Sequence, residues 1–326
     1  MIKVVQTTGP GGIDVLEFAS VELGTPASGE VLLRQTAIGV NLIDLYHRTA
    51  TEGQYAIPHP AVLGVEAAGV IETVGPDVSG FEPGDRAAYC MVRGAYAQKR
   101  LIPAARLVKL PDFISDEQAA ACLVKGITAY YLLHRIYPVG PGDTLLVHAA
   151  AGGVGQMLCQ WAKHLGAIVI GTVGSHDKMP IAAAAGCGHV ILHNQGDFSA
   201  QVKALTAGRG VDVAYDSIGK DTFSGSLDCL RPLGVMVSYG QASGAVPPFD
   251  IGVLAQKGSV FLAKPTLATF VQDPAEFRQL ADQVFQAIRR GAIRVDAGHR
   301  RGLSDAASVH ADLESRKPLG SVVLVP

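Results

Sequence analysis

Over residues 1–110 the apolar positions come in short, β-branched or alternating runs, broken by clusters of Gly, Pro and Asp. This pattern predicts strands at 2–6, 30–37, 67–74, 86–91 and 95–102. Turns are expected at Gly9-Pro10-Gly11-Gly12, Pro26-Ala27-Ser28-Gly29 and Phe81-Glu82-Pro83-Gly84-Asp85. One stretch, 41–48, reads as a short helix instead. Short strands with such breaks suit a small closed or half-closed barrel. Near Asp116 the rhythm changes. Residues 116–137 are helical and 138–143 turn into a strand at 144–148, and strands then alternate with helices. The further strands are expected at 168–173, 189–193, 211–216, 235–239 and 259–263, and the helices at 176–185, 197–207 and 220–230. That alternation predicts an α/β fold, a parallel sheet with helices on both faces.

The last segment opens with a well-marked helix. Asp273 is a candidate N-cap, Pro274 takes the first helical position and Glu276 can close a capping box. Phe277, Leu280, Ala281, Val284, Phe285 and Ile288 then form one apolar stripe that ends at Gly291. A second helix over 304–315 leads to a final strand at 321–325.

The strand at 144–148 is followed at once by Ala150, Gly152 and Gly155, which occupy the three positions of a G-x-G-x-x-G fingerprint with alanine in the first. A helical pattern begins there, with Val154, Leu158, Trp161, Ala162 and Leu165 on one face and Gly166 at its close. Strand, tight turn and helix N-terminus in that order make a dinucleotide site, where the amides of Gly152, Gly153 and Val154 and the helix dipole hold a pyrophosphate. The competing reading is a glycine-rich turn that only lets a helix pack closely on a sheet.

Composition narrows the class. At 326 residues, with 48% hydrophobic and 17% charged positions, the chain has room for two domains with large cores. A formal net charge of −2 gives no reason to expect nucleic acid or an anionic membrane as partner. No apolar run approaches the roughly 18 residues of a membrane span, and no signal peptide is apparent. The five cysteines are scattered, without a C-x-x-C pair, which points to reduced thiols and a cytoplasmic setting.

Taken in order, several stretches resemble the zinc-free quinone oxidoreductase branch of the medium-chain dehydrogenase/reductase superfamily. They are Gly29-Glu30-Val31-Leu32-Leu33-Arg34, Gly39-Val40-Asn41-Leu42-Ile43-Asp44, Gly64-Val65-Glu66-Ala67-Ala68-Gly69, Gly84-Asp85-Arg86, Lys125-Gly126-Ile127-Thr128-Ala129-Tyr130, the fingerprint, and Glu314-Ser315-Arg316. The resemblance implies a Rossmann doubly wound parallel sheet, 121–264, inserted into a GroES-like β-barrel domain built from 1–120 and 265–326. NADPH and substrate would lie in the cleft between them.

Zinc members of the superfamily carry a cysteine near position 41 and a histidine in a Gly-His-Glu run. Asn41 and Val65 stand at those positions here, and no four-cysteine lobe follows the Gly-Asp-Arg turn. No metal is expected, since catalytic zinc needs about three protein ligands. Without that Lewis acid an electron-poor quinone suits hydride delivery better than a simple carbonyl. The resemblance puts Asn41, Asp44 and Tyr46 at the chemistry, with Tyr46 read either as a phenol donor or as packing. Tyr55 and Lys125 are candidate pocket walls. Cofactor contacts are expected from Asn41, Thr128, Gly152, Gly153, Val154, Gly174, Ser175, Lys178, His193, Ser217, Tyr239, Gly240 and Arg316. The second strand ends Gly171-Thr172-Val173-Gly174-Ser175, without the Asp or Glu that holds the ribose hydroxyl of NAD. That omission, with Lys178 nearby, favours NADPH. His193 stands where relatives often have tyrosine.

Two alternatives stay open: an NADPH-dependent enoyl or alkenal reductase, and a non-enzymatic crystallin-like or RNA-binding role. The near-neutral charge argues against RNA. The apolar strand at 259–263 is expected at a sheet edge, where the resemblance implies pairing into a homodimer.

Overall fold

The computed structural model describes residues 1–317 and 320–326. The chain forms two compact units, one of Met1–Val124, Val271–Gln286 and Val295–Pro326, the other of Lys125–Phe270 and Ala287–Arg294. The units change at 124/125 and 270/271, a few residues after the 120/121 and 264/265 that the resemblance implied, and 287–294 lies with the second unit.

The first unit opens with β1 (Ile2–Thr7), β2 (Leu16–Val21) and β3 (Glu30–Val40), followed by helix α1 (Leu42–Thr49). Strands β4 (Ala61–Val62), β5 (Glu66–Val74), β6 (Arg86–Cys90), β7 (Lys99–Pro103) and β8 (Val108–Lys109) complete its first part, and α2 (Asp116–Tyr131) leads out of it. β1 pairs with β2 on one side and β4 on the other. β3 is long because three partners share it: β5 runs antiparallel along most of its length, β7 along its first half, and a strand near 322–324 along its end. The expected strand at 95–102 begins only at Lys99. Upstream of it Tyr96 spends its backbone groups on Leu63 and Val5 instead, which leaves one isolated bridge between Ala97 and Val4.

The second unit is the alternating one. Its strands are β9 (Thr144–Val147), β10 (Ile168–Val173), β11 (His189–Leu192), β12 (Val211–Asp216), β13 (Leu230–Ser238) and β14 (Phe261–Ala263). Helices α3 (Gly153–His164), α4 (Met179–Ala184), α5 (Phe198–Leu205), α6 (Phe223–Cys229), α7 (Gly252–Gln256) and α8 (Leu267–Phe270) lie between or after them. All pairs are parallel, in the order β11-β10-β9-β12-β13-β14. β9 and β12 are buried at every position, as strands covered on both faces must be. Leu146, Ile170, Phe198, Val202, Phe223 and Met236 belong to the core between this sheet and its helices.

The chain then returns through α9 (Pro274–Arg289), β15 (His299–Gly302), α10 (Ala306–Glu314) and β16 (Val322–Val325). Asp273 caps α9 as expected, accepting from the amides of Ala275 and Glu276 at 3.2 and 3.4 Å. β16 pairs antiparallel with β3, and β15 lies parallel beyond it. Val31, Leu33 and Ile71 from the start of the chain share one core with Leu303, Val309 and Leu324 from its end. The first unit is therefore a single body drawn from both the start and the end of the chain.

Candidate functional site

In the second unit the strand order reverses between β9 and β12, and sheets of this kind bind ligands outside the carboxyl ends at such a switch. The turns after β10, β9, β12 and β13 stand side by side there. They carry Gly174, Ser175 and Lys178, then the fingerprint, then Ser217, then Tyr239 and Gly240.

The fingerprint turn is built by backbone fit. Ala149 takes a left-handed conformation (φ 51°), and the Gly152 amide closes back on its carbonyl at 2.8 Å. Gly152 caps α3. A Cβ on Gly155 would lie 2.2 Å from the Ala149 oxygen, so only glycine lets the helix sit this close to the turn. Alanine in the first fingerprint position is accommodated by its neighbour. Ala150 is fully buried, and the space its methyl takes is left by Gly171 on β10, where an added Cβ would stand 2.8 Å from that methyl. The first amides of a helix have no intrahelical acceptor and carry the positive end of the dipole, so the N-terminus of α3 fits a pyrophosphate.

Asp216, at the end of β12, shapes the adjoining turn. One carboxylate oxygen accepts the amides of Ile218 and Gly219 at 2.7 and 3.0 Å, and the other accepts the hydroxyls of Thr222 and Ser226 at 2.8 and 3.1 Å. Ser217 is thereby fixed, and Gly240 must lack a side chain because its Cβ would stand 2.6 Å from the Ser217 oxygen. Ser226 also meets His148 Nε2, whose Nδ1 meets Thr172, both at 2.8 Å. Burial holds the His148 pKa down to about 4, so this core histidine is neutral. Tyr239 is raised above the ordinary phenol range, again mainly by burial.

At the end of β10, Ser175 caps a single turn that includes Lys178. The Ser175 hydroxyl bonds to the exposed Asp177 carboxylate and holds its pKa below the usual range. The His193 amide bonds to Val173 at 3.1 Å, and Asn194 fastens the Gly174 carbonyl at 3.0 Å. Lys125 and Thr128 are both buried in α2. A cavity of about 470 Å³ opens beside this crevice, with Phe223, Phe249, Ser238, Leu262 and Lys264 among its walls. Burial lowers the Lys264 pKa, and its ammonium lies 3.4 Å from the Ser238 hydroxyl.

In the first unit Asn41, Asp44, Tyr46 and Tyr55 come together around α1. The Asn41 amide donates to the Asp44 carboxylate at 2.9 Å, which ties the helix start to its own first turn. The Asn41 carboxamide donates to the fully buried Glu66 at 2.9 Å, and Glu66 also accepts the Val124 amide at 2.6 Å. Gly39 leaves the room for this, since its Cβ would meet the Glu66 carboxylate at 2.6 Å. The rings of Tyr46 and Tyr55 lie 5.0 Å apart. Arg316 follows α10 in a left-handed conformation and is exposed. Among the described residues, no three His, Cys, Asp or Glu side chains gather as a metal site would require.

Two family models match: the alcohol dehydrogenase GroES-like domain over 27–112, and the zinc-binding dehydrogenase over 153–286. A quinone oxidoreductase of Pseudomonas aeruginosa is 43% identical across the whole of both chains. The chain belongs to the quinone oxidoreductase family. Within this family of the medium-chain dehydrogenase/reductase superfamily, the solved quinone oxidoreductase of Pseudomonas syringae pathovar tomato superposes with a TM-score of 0.96 at 43% identity, covering both chains fully. That of Escherichia coli, solved with NADPH, gives 0.95 at 41% identity over 99% of this chain and all of its own. A 2-haloacrylate reductase from Burkholderia is also 43% identical, over 97% of this chain and 96% of its own.

Sequence reasoning passed over Asp216, Lys264, Tyr96 and His310, and it quoted Glu66 without giving it a role. Glu66 had a signal, an acid between small residues in a buried apolar strand. The others gain their meaning only from partners far away in the chain.

Proposed function

We propose that this protein passes reducing equivalents from NADPH to a small-molecule quinone without a metal ion. The observation that carries the reading is likeness at 42–44% identity to three quinone oxidoreductases, along at least 97% of the chain. The crevice supports it, because the tight turn at Gly152 and the packing of Gly155 and Gly240 leave room for backbone to approach a dinucleotide. When bound, NADPH supplies a hydride from its nicotinamide. Gly152, Gly153 and Val154 would hold the pyrophosphate through amides. Ser175, Lys178 and Arg316 would take the adenosine 2′-phosphate, and no carboxylate closes the end of β10 itself. Thr128, Gly174, His193, Ser217, Tyr239 and Gly240 would line the rest of the cofactor's path. Asn41, Asp44 and Tyr46, with Tyr55 and Lys125 as walls, would orient the quinone and exclude water.

The test is NADPH oxidation over a panel of quinones and of α,β-unsaturated acids and aldehydes. Turnover of quinones with NADPH, well above that with NADH, is expected; turnover of the unsaturated substrates alone would replace this reading with the second. That second reading, reduction of an activated C=C bond, is favoured by the likeness to the 2-haloacrylate reductase.

We further infer a cytoplasmic homodimer. β14 closes one end of the parallel sheet, paired only through β13 among the described strands, and it exposes Phe261 (59%) and Leu262 (36%). An apolar edge of this kind is satisfied by a second copy. The five cysteines are free and buried, which suits a reducing compartment.

A further inference from the structure

We propose that His310 and Tyr96 are positioning residues, which hold the start of α1 and Asn41 through a one-way chain of buried hydrogen bonds from Arg48 to Asp44. The activity readout rests on the function proposed above; the structural readouts do not.

Four side chains form the chain, and all are 0% exposed: Arg48, His310, Tyr96 and Asp44. Arg48 Nη1 lies 3.3 Å from His310 Nδ1. His310 Nε2 lies 3.0 Å from the Tyr96 hydroxyl, which lies 3.0 Å from Asp44 Oδ2. The polarity follows from the first link. A guanidinium has donors only, so His310 Nδ1 accepts and must be bare. The proton of the neutral ring is then on Nε2 and is donated to the Tyr96 oxygen. The single phenolic proton is left to point at Asp44, which as a carboxylate can only accept. Burial and the Arg48 charge together keep the ring neutral, with its pKa near 3.

Asp44 and Arg48 are one turn apart on α1, so the links close a loop around that turn. Each other corner is anchored independently. Tyr96 is held by backbone bonds to Leu63 and Val5, both at 2.8 Å, and its ring passes over Gly64, where a Cβ would lie 2.2 Å from it. Arg48 also donates to the Gly11 carbonyl at 3.1 Å and pairs with Glu314. His310 and Glu314 both stand on α10. The acceptor at the end of the chain, Asp44 Oδ2, is the same atom that receives the Asn41 amide. A residue near the far end of the sequence thereby sets the backbone of the residue whose carboxamide meets Glu66.

The variants are Tyr96→Phe, which deletes one hydroxyl, His310→Leu, which deletes both ring bonds, and His310→Gln, whose amide keeps an acceptor and a donor. Tyr96→Phe and His310→Leu are expected to lower kcat with a quinone about tenfold to a hundredfold, the scale of a small misplacement at a reacting centre. KM for NADPH should change far less, and His310→Gln should recover most of kcat. Hydrogen exchange at the α1 amides should quicken in Tyr96→Phe, and nitrogen NMR of wild type should show His310 protonated on Nε2 only. A folded Tyr96→Phe with wild-type kcat and exchange overturns the proposal, as does a His310 protonated on Nδ1. So does a uniform loss in all three variants that tracks only the fraction folded. If the wild type reduces no quinone, the proposed function fails, and the tautomer and exchange results still decide this one.

Discussion

Replacing Gly155 by alanine should damage both fold and cofactor binding, whereas the same change three residues earlier should damage binding alone. The contrast comes from one atom. An added Cβ at Gly155 would lie 2.2 Å from the Ala149 oxygen and 2.9 Å from the Ala150 Cα, against an ordinary contact of at least 3.4 Å. α3 must therefore retreat from its turn by about 1 Å, an overpacking that costs on the order of 1–3 kcal/mol of stability. The helix N-terminus moves with it. Charge-assisted bonds to a phosphate contribute roughly 1.5–3 kcal/mol each, so losing one raises Kd for NADPH about tenfold to a hundredfold. At Gly152 the Cβ would be 3.2 Å from the same oxygen, with the backbone extended at φ −77°, a fit that needs only a few tenths of an ångström. Gly152→Ala should thus unfold as wild type does, yet bind NADPH weakly, because its methyl would stand where the pyrophosphate approaches in the proposed cofactor site. Denaturant titration and calorimetric titration with NADPH read the two quantities separately. Wild-type stability in Gly155→Ala would refute the steric reasoning, and wild-type NADPH affinity in both variants would refute the assignment of this turn to the cofactor.

Three further outcomes are expected. Lys178→Ala should raise KM for NADPH about tenfold to a hundredfold and leave NADH kinetics nearly unchanged; equal effects on both cofactors would remove Lys178 from the phosphate site. His148, depressed from 6.5 to about 4 by burial, binds its proton more readily in the unfolded chain, so it lends stability at neutral pH that is lost as pH falls from about 6.5 toward 4, on the order of 3 kcal/mol in all. Denaturant titrations across that window check this, with the slope expected to flatten in His148→Asn. Phe261→Asp, which places a charge on the exposed edge strand, should convert dimer to monomer in light scattering; a wild type that is monomeric at micromolar concentration would refute the edge pairing.

Much of the fold was legible because its signals are local. The passage from β9 into α3 announces itself through a period change and small residues, and α9 through Asp273 and its apolar stripe. β15, His299-Arg300-Arg301-Gly302, offers no apolar pattern; it is a strand only because β16 lies beside it. β2 was missed for the same reason, since among the described strands it pairs with β1 alone and half its residues face solvent. The site divides likewise. Asn41, Asp44 and the fingerprint could be found within short windows. The buried chain through Tyr96 and His310 could not, because each link joins residues far apart in sequence and each residue alone reads as ordinary core.

The pairing of β16 with β3 also dictates an order of assembly. Val40 waits for Val322 as its partner, while all six strands of the parallel sheet lie within Lys125–Phe270. During synthesis the inserted sheet can therefore form while the barrel still has an open flank along β3. Until the last strand arrives, that flank is an unpaired row of backbone donors and acceptors beside Ile38 and Val40. Loss of the last few residues would leave a nascent protein with a finished sheet and a barrel open to wrong partners.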